Sequence, residues 1–388
     1  MTTIDRSSIM RACAQVRPAV SKQPFIPAFT HFCFNEGAVF AYNDTLLLMM
    51  SLPDDAAEMP SCCAPADVLT EALRSMGGDT MEVQHDTDSR ELHIKAGRSK
   101  FNLKTLPTED FQMHLELPTA EEKKRGWKFD ASADFIEGLR ACRMAVGNNP
   151  NHPASMGITL GSVSGNAVLY ATDNVTITRY AVDMEHDGED DAILPTPFCD
   201  ALLSFAKAMP NDRIEISVLR GVVSATFHDK RDKHGIGGVI VTKTLTDLAA
   251  LDYEQIMRKH VDMKRVADIL SPLPADMGAV FERAAAVGVD EPRTTLRLVS
   301  GSDNEVSVSA SGVGAQASDV LVFDGKRSDE ALAALDEEAE DVNAAHVLRA
   351  VKHTDRLAFV KNALLFGDAK AKLLHLVGYM APIKKSKR

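Results

Sequence analysis

Apolar residues recur along this chain in two rhythms. Ile9, Cys13 and Val16 fall at the three-to-four-residue spacing that lays one stripe along a helix. So do Phe135, Leu139, Cys142 and Val146, and farther on Met277, Phe281 and Ala284. The tripeptide Arg11-Ala12-Cys13 returns as Arg140-Ala141-Cys142, and Arg283-Ala284-Ala285 takes the matching place in the third run. In each the Arg lies off most of the apolar stripe. A second helical run, Val68, Leu69, Ala72, Leu73 and Met76, leads into an alternating strand with Met81 and Val83. Its counterpart is Ala201, Leu202, Phe205, Ala206 and Met209, then a turn at Pro210-Asn211-Asp212 and a strand with Ile214 and Ile216. A looser third copy has Val347, Leu348 and Val351, a turn near Asp355, and Leu357 and Phe359.

Two kinds of helix repeating in the same order three times make chance amphipathicity a poor explanation. Between them lie strand-like runs at 38–50, 91–106, 167–182, 221–227 and 294–309. Each third therefore predicts two helices covering antiparallel sheets, an α+β arrangement of three similar domains. Polar or connecting stretches at 117–125 and 253–263 set the expected domains at 1–120, 127–254 and 255–388.

Composition narrows the function. The chain has 388 residues, 45% hydrophobic and 25% charged, which excludes disordered and collagenous classes. Forty-three Lys and Arg against fifty-five Asp and Glu give a net charge of -12, so any role on DNA must rest on segregated charge. The start, MTTIDRSSIM, lacks the apolar core of a secretory leader, and no run reaches membrane-spanning length, so a cytoplasmic protein with no membrane partner is expected. The six cysteines, Cys13, Cys33, Cys62, Cys63, Cys142 and Cys199, show no C-x-x-C or finger spacing and read as reduced thiols.

Residues 94–111, IKAGRSKFNLKTLPTEDF, resemble the end of the first domain of the bacterial DNA polymerase III beta subunit, the sliding clamp. QVRPAVSKQPFIP at 15–27, LYATD at 169–173, LDYEQIM at 251–257 and FERAAAVG at 281–288 are similar to further segments of that family in the same order. The resemblance spans nearly the whole chain and implies a DNA clamp fold. Two subunits of three domains would close head to tail, with helices around a hole that duplex DNA threads. The implied function is that of a processivity factor, not an enzyme, with no catalytic residue, metal or cofactor.

The six expected helices carry a combined +2 and the rest of the chain -14, the sign such a hole needs. The candidates to face DNA are Arg11, Arg17, Arg74, Arg140, Arg143, Lys207, Arg283, Arg349 and Lys352. The resemblance adds Lys22, Gln23 and His152 from two loops. It further implies a pocket for short partner peptides, of the polymerase and other clamp-binding proteins, lined by Thr172, Asn174, Ile177, Leu251, Gln255, Ile256, Met380 and Pro382. Here the chain departs from the family. Asn174-Val175-Thr176 replaces Gly-His-Arg, Leu251 replaces a Pro, and Met380-Ala381-Pro382 replaces Met-Pro, departures compatible with a phage replisome as well as a cellular one. At the homodimer contact the resemblance sets a strand with Phe101 and Leu103 against the partner's Ala286 and Val287, where smaller residues replace the family's bulky pair.

Two other classes compete. A metal-dependent nucleic-acid enzyme could draw on His85, Asp86, Asp88, Glu91 and His93, or on the acidic runs 183–191 and 329–341, although an alternating strand and polar loops explain these better. A three-domain structural protein that ignores DNA is the other. Gly235, Gly237 and Gly238 form no dinucleotide fingerprint, and no G-x-x-x-x-G-K-[ST] occurs, so an ATP-dependent clamp loader would be a separate partner. The basic tail Lys384, Lys385, Lys387 and Arg388 reads as a disordered terminus.

Overall fold

A computed structural model describes residues 2–23, 25–113, 127–186, 191–209, 213–219, 221–230, 235–245, 251–288, 293–300, 302, 304–312, 314–323, 332 and 339–380. The expected boundary at 117–125, the turn at 210–212, Pro382 and the basic tail lie outside them. The helices among the described residues are α1 (Arg6–Val16), α2 (Ala66–Ser75), α3 (Ala133–Cys142), α4 (Thr196–Ala208), α5 (Tyr253–Arg258), α6 (Val266–Ile269), α7 (Met277–Val287) and α8 (Ala344–Val351). None is long and apolar enough to cross a membrane. The strands make four sheets whose recorded pairings are all antiparallel, two of four strands and two of eight. The α+β expectation holds.

The repeated triplet has a common structural meaning. Ala12 and Cys13 on α1, Ala141 and Cys142 on α3, and Ala284 on α7 are buried, while Arg11, Arg140 and Arg283 are exposed. Helix α1 starts at Asp5, whose carboxylate accepts the Ser8 N–H at 2.6 Å. It ends at Val16, and Arg17–Ala19 tightens into a 3-10 turn, because Pro18 has no N–H to continue the ladder. Helix α3 ends likewise, in a 3-10 turn at Arg143–Ala145.

Two details differ from the pattern reading. Val68 is 52% exposed, since α2 buries Ala66, Leu69, Ala72 and Leu73 and turns position 68 outward. The long strand-like runs are hairpins. The run 38–50 breaks at Asn43-Asp44, where the Asn43 carboxamide accepts the Leu46 N–H at 2.9 Å and Asp44 takes φ 73°. The run 167–182 breaks in the same way at Asp173-Asn174, where Asp173 accepts the Thr176 N–H at 2.7 Å and Asn174 takes φ 71°. Alternation continues through such a turn, so hydrophobic pattern alone does not locate it.

The chain forms two compact units, residues 1–133 with 194–246, and residues 134–193 with 247–388. The middle third thus contributes to both. In the first unit, strand Leu46–Ser51 pairs with Ile236–Lys243, setting Leu48 opposite Ile240, and this joins two smaller sheets into one of eight strands. In the second unit, Thr176–Glu185 pairs with Leu373–Gly378, Ile177 opposite Leu376, with the same result. The glycines near 237 serve packing: a Cβ on Gly238 would lie 3.0 Å from the Phe205 ring and 3.1 Å from Met209, both carried with α4. Among the described residues the four-stranded sheets have open edges at Ser99–Lys104 in the first unit and Ala315–Val322 in the second.

In the second unit α7 and α8 cover the sheet of 293–298, 305–312, 315–322 and 340–343. Met277, Val280, Phe281 and Ala284 enter a core with Leu296, Val308, Val342 and Val347. Full burial of a side chain such as Phe281 contributes about 1.5–3 kcal/mol. The end of α7 lies so close to strand Glu305–Gly312 that a Cβ on Gly312 would meet the Val287 carbonyl oxygen at 2.0 Å. Because that neighbour is backbone, Gly312→Ala is expected to cost about 3 kcal/mol in urea unfolding. Gly314→Ala would report the separate cost of a positive φ with open space around it.

Candidate functional site

The second unit holds the expected peptide-pocket residues. Asp252 caps α5, its carboxylate accepting the Gln255 N–H at 2.8 Å, and this fixes Leu251, Gln255 and Ile256 at the start of one short helix. The helix is held down by the two residues beside the cap. The Tyr253 ring stacks on Tyr170, centroids 5.0 Å apart and 5° from parallel. The Glu254 carboxylate accepts from Tyr170 Oη and from Arg179 Nε, both at 2.7 Å. Burial pushes the Glu254 carboxyl upward, but the hydrogen bonds from Tyr170 and Arg179 and their charge prevail and hold it below its usual range. The same burial and the facing carboxylate push the Tyr170 phenol up.

Ile177 and partly buried Ile256 belong to one apolar cluster with Tyr170, Tyr253 and Met257. Thr172 is buried, with its hydroxyl committed to the turn: it donates to the Thr176 carbonyl at 2.7 Å and accepts the Asn174 N–H at 3.0 Å. Asn174 is exposed on that turn, beside exposed Val175. Met380 is half-buried just past strand Leu373–Gly378, with its N–H on the Asp341 carbonyl at 2.7 Å. Ile177 and Ile256 are therefore brought together, and Leu251, Gln255, Asn174 and Met380 follow on elements anchored beside them. A cleft of about 560 Å³ opens elsewhere on the strands 157–163, 166–172 and 176–185, lined by Val163, Asn166, Val168, Arg179, Asp183 and Glu185 among others. None of the expected pocket residues lines it. Its Arg179 is already held by Glu254, whereas the apolar residues of the expected set lie on and beside α5. Tyr170, Arg179, Tyr253 and Glu254 were absent from the sequence-derived set. The LYATD and LDYEQIM segments contain three of the four.

The candidate DNA-facing residues divide by electrostatic state. Arg11, Arg74, Lys207 and Lys352 are exposed on or at the end of their helices and form no ion pair among the described residues. Four others have partners. Arg17 reaches Asp67 at 2.6 Å and Thr70 at 2.9 Å, Arg140 meets Glu137, and Arg283 grips Asp319 through two bonds of 3.0 and 2.9 Å. Arg349 donates to the Met144 carbonyl at 3.0 Å with Asp173 at 3.6 Å. Arg143 is half-buried beyond α3, and Lys22, Gln23 and His152 sit exposed in loops. Of the edge residues, Phe101 is half-buried, Leu103 is buried in its own unit, Ala286 is exposed and Val287 half-buried.

The alternative metal cluster does not converge. His85 bonds Thr105 at 3.0 Å, His93 bonds Asn102 at 2.8 Å, Glu91 pairs with Lys104 at 2.8 Å, and Asp86 caps its own turn. Among the described residues no three His, Cys, Asp or Glu side chains gather as metal ligands.

Residues 1–116 match the family model for the N-terminal domain of the DNA polymerase III beta subunit. The Beta sliding clamp of Pseudomonas aeruginosa is 24% identical over 274 residues, 69% of this chain and 70% of that protein. That of Caulobacter vibrioides is 31% identical over 114 residues, 28% of this chain and 31% of that protein. Residues 1–116 thus carry the signature of that N-terminal domain, and the longer chain is similar to beta sliding clamps. Its fold agrees from end to end: the crystal structure of the P. aeruginosa sliding clamp with ligand superposes at a TM-score of 0.77, with 19% identity, over 98% of this chain and 99% of that one. The Thermotoga maritima beta subunit gives 0.76 at 13% identity, again over 98% and 99%.

One buried group in the second unit gives a pH signature. His375, on the strand that pairs with Thr176–Glu185, bonds Thr178 Oγ1 at 2.7 Å, and burial pushes its imidazole down to about 3. The unfolded chain takes up that proton near pH 6.5 and the folded chain does not, so stability is full above 6.5 and falls as pH drops toward 3. From pH 6.5 to 5 this one group is expected to remove about 2 kcal/mol. Urea titrations of the wild type and His375→Gln at both pH values should differ in slope accordingly.

Proposed function

We propose that this protein is a DNA polymerase processivity factor: a non-catalytic clamp that encircles duplex DNA and tethers the replicative polymerase through the α5 pocket. The match of residues 1–116 to the N-terminal domain of the DNA polymerase III beta subunit, with the similarity to beta sliding clamps beyond it, is the observation that carries this reading. The sheet pattern supports its assembly. Consecutive thirds share an eight-stranded sheet twice, and the two remaining four-stranded sheets each end in an open edge, Ser99–Lys104 at one and Ala315–Val322 at the other, with Val320 and Val322 each 46% exposed. Exposed edges call for partners. Three domains at 1–120, 127–254 and 255–388, joined edge to edge, would close head to tail with a second copy. With Leu103 buried in its own unit and Ala286 and Val287 small, backbone pairing and Phe101 would carry that closure.

The exposed cations Arg11, Arg74, Lys207 and Lys352 would meet phosphates, while those held by Asp67, Glu137 and Asp319 contribute little net charge. Such weak attraction suits a clamp that retains DNA by topology and slides. Met380, Ile256, Ile177 and Leu251 would receive a partner's apolar anchors, and a separate ATP-dependent loader in the cytoplasm would open the ring.

Loaded protein should stay on nicked circular DNA and leave when the circle is linearised, read by gel filtration, and its solution mass should be twice 42.1 kDa. Retention indifferent to linearisation would refute encirclement. Met380→Ala should weaken binding of a polymerase-derived clamp-binding peptide about tenfold, the loss of one partly buried anchor, with no change in the melting curve.

A further inference from the structure

The first unit brings two cysteines face to face. Cys33 on strand His31–Asn35 stands directly opposite Cys63 on Cys62–Pro65. The backbone of Cys63 is committed on its other side, its N–H to the Leu106 carbonyl and its carbonyl to the Leu106 N–H, both at 2.9 Å. In an antiparallel ladder a residue's N–H and C=O point the same way, so toward Cys33 this is a non-hydrogen-bonded pair. Such pairs bring Cα atoms to about 4.5 Å, inside the range of about 4.4–6.8 Å that a disulfide spans. Both side chains enter the same apolar cluster, with Phe29, Tyr42 and Phe111. Cys62 pairs instead with Phe34, and its side chain points to the opposite face of the strand.

We propose that Cys33 and Cys63 form a reversible disulfide when the protein meets hydrogen peroxide. The Cys33 thiolate attacks one peroxide oxygen, giving a sulfenic acid and releasing hydroxide. The Cys63 thiol then attacks that sulfur and loses its proton, and water leaves as the S–S bond forms. Two thiols are oxidised, one peroxide is reduced, and two waters result. A hydrogen bond from Cys63 draws the Cys33 thiol below its ordinary range against the opposing effect of burial, which places the first nucleophile at Cys33. The single Cys63 proton can serve Cys33 or the Pro107 carbonyl, 3.5 Å from its sulfur, but not both. Oxidation removes it from both and leaves Pro107, at the end of the segment after the open edge strand, without that donor. Cys33 and Cys63 are 4% and 0% exposed, so a small oxidant must enter through local opening.

The full-length protein is treated with hydrogen peroxide, quenched, denatured, alkylated with iodoacetamide and weighed intact. Starting from the six thiols of the reduced chain, the expected result is loss of two alkylation sites, with six restored by dithiothreitol and a peptide map joining Cys33 to Cys63. Cys62→Ser should lose two sites as well, and Cys33→Ser or Cys63→Ser none. Retention of all six thiols, a link through any other cysteine, or an oxygen adduct that dithiothreitol does not reverse would overturn the proposal. The map on the wild-type chain decides the matter even where a serine variant folds poorly.

Discussion

Backbone hydrogen bonding at strand edges is the constraint on which this molecule depends. A four-stranded sheet has two edges of unpaired N–H and C=O groups, and leaving them bare invites indiscriminate pairing. Leu46–Ser51 with Ile236–Lys243, and Thr176–Glu185 with Leu373–Gly378, satisfy such edges internally. The residues at these joints are apolar on the faces they bury, so register and burial reinforce each other: a one-residue slip would turn Leu48 and Ile240, or Ile177 and Leu376, to the wrong side. The helices then have a continuous surface on which to lay their single stripes.

The candidate site inherits its geometry from the second of these joints. Ile177 is both a strand-pairing residue and a member of the apolar cluster under α5, and Glu254 couples that helix to Tyr170 and Arg179 on the two neighbouring strands. A carboxylate so placed would be costly without partners. With two short hydrogen bonds and a guanidinium it becomes a directional fastener for a helix of only six residues, too short to be stable by itself. Charge elsewhere is similarly committed. Arg349 spans to the Met144 carbonyl and Asp173, links that no periodicity argument could foresee.

Much of the architecture was legible because it rests on period. The recurring Arg-Ala-Cys and Arg-Ala-Ala triplets placed three helices and their buried faces correctly, since small residues at those points let helix and sheet approach. What escaped was whatever depends on one side chain's hydrogen bonds, namely the turns at Asn43 and Asp173 and the Tyr170–Glu254–Arg179 network, along with the exact buried face of α2 that leaves Val68 outward. Why residues 237 and 238 are glycines shows only in the nearby Phe205 and Met209, which leave little room for a Cβ. Of the expected pocket residues, Ile177 and Ile256 share one apolar cluster, while the Thr172 hydroxyl is absorbed into its turn.

The middle stretch of chain passes from one compact unit to the other at 133–134, at 193–194 and again at 246–247. No single cut can therefore release either unit as an uninterrupted polypeptide. Any natural truncation or gene fission within residues 157–243 would amputate strands from both large sheets at once, which binds the two halves into one hereditary whole even though each has a core of its own.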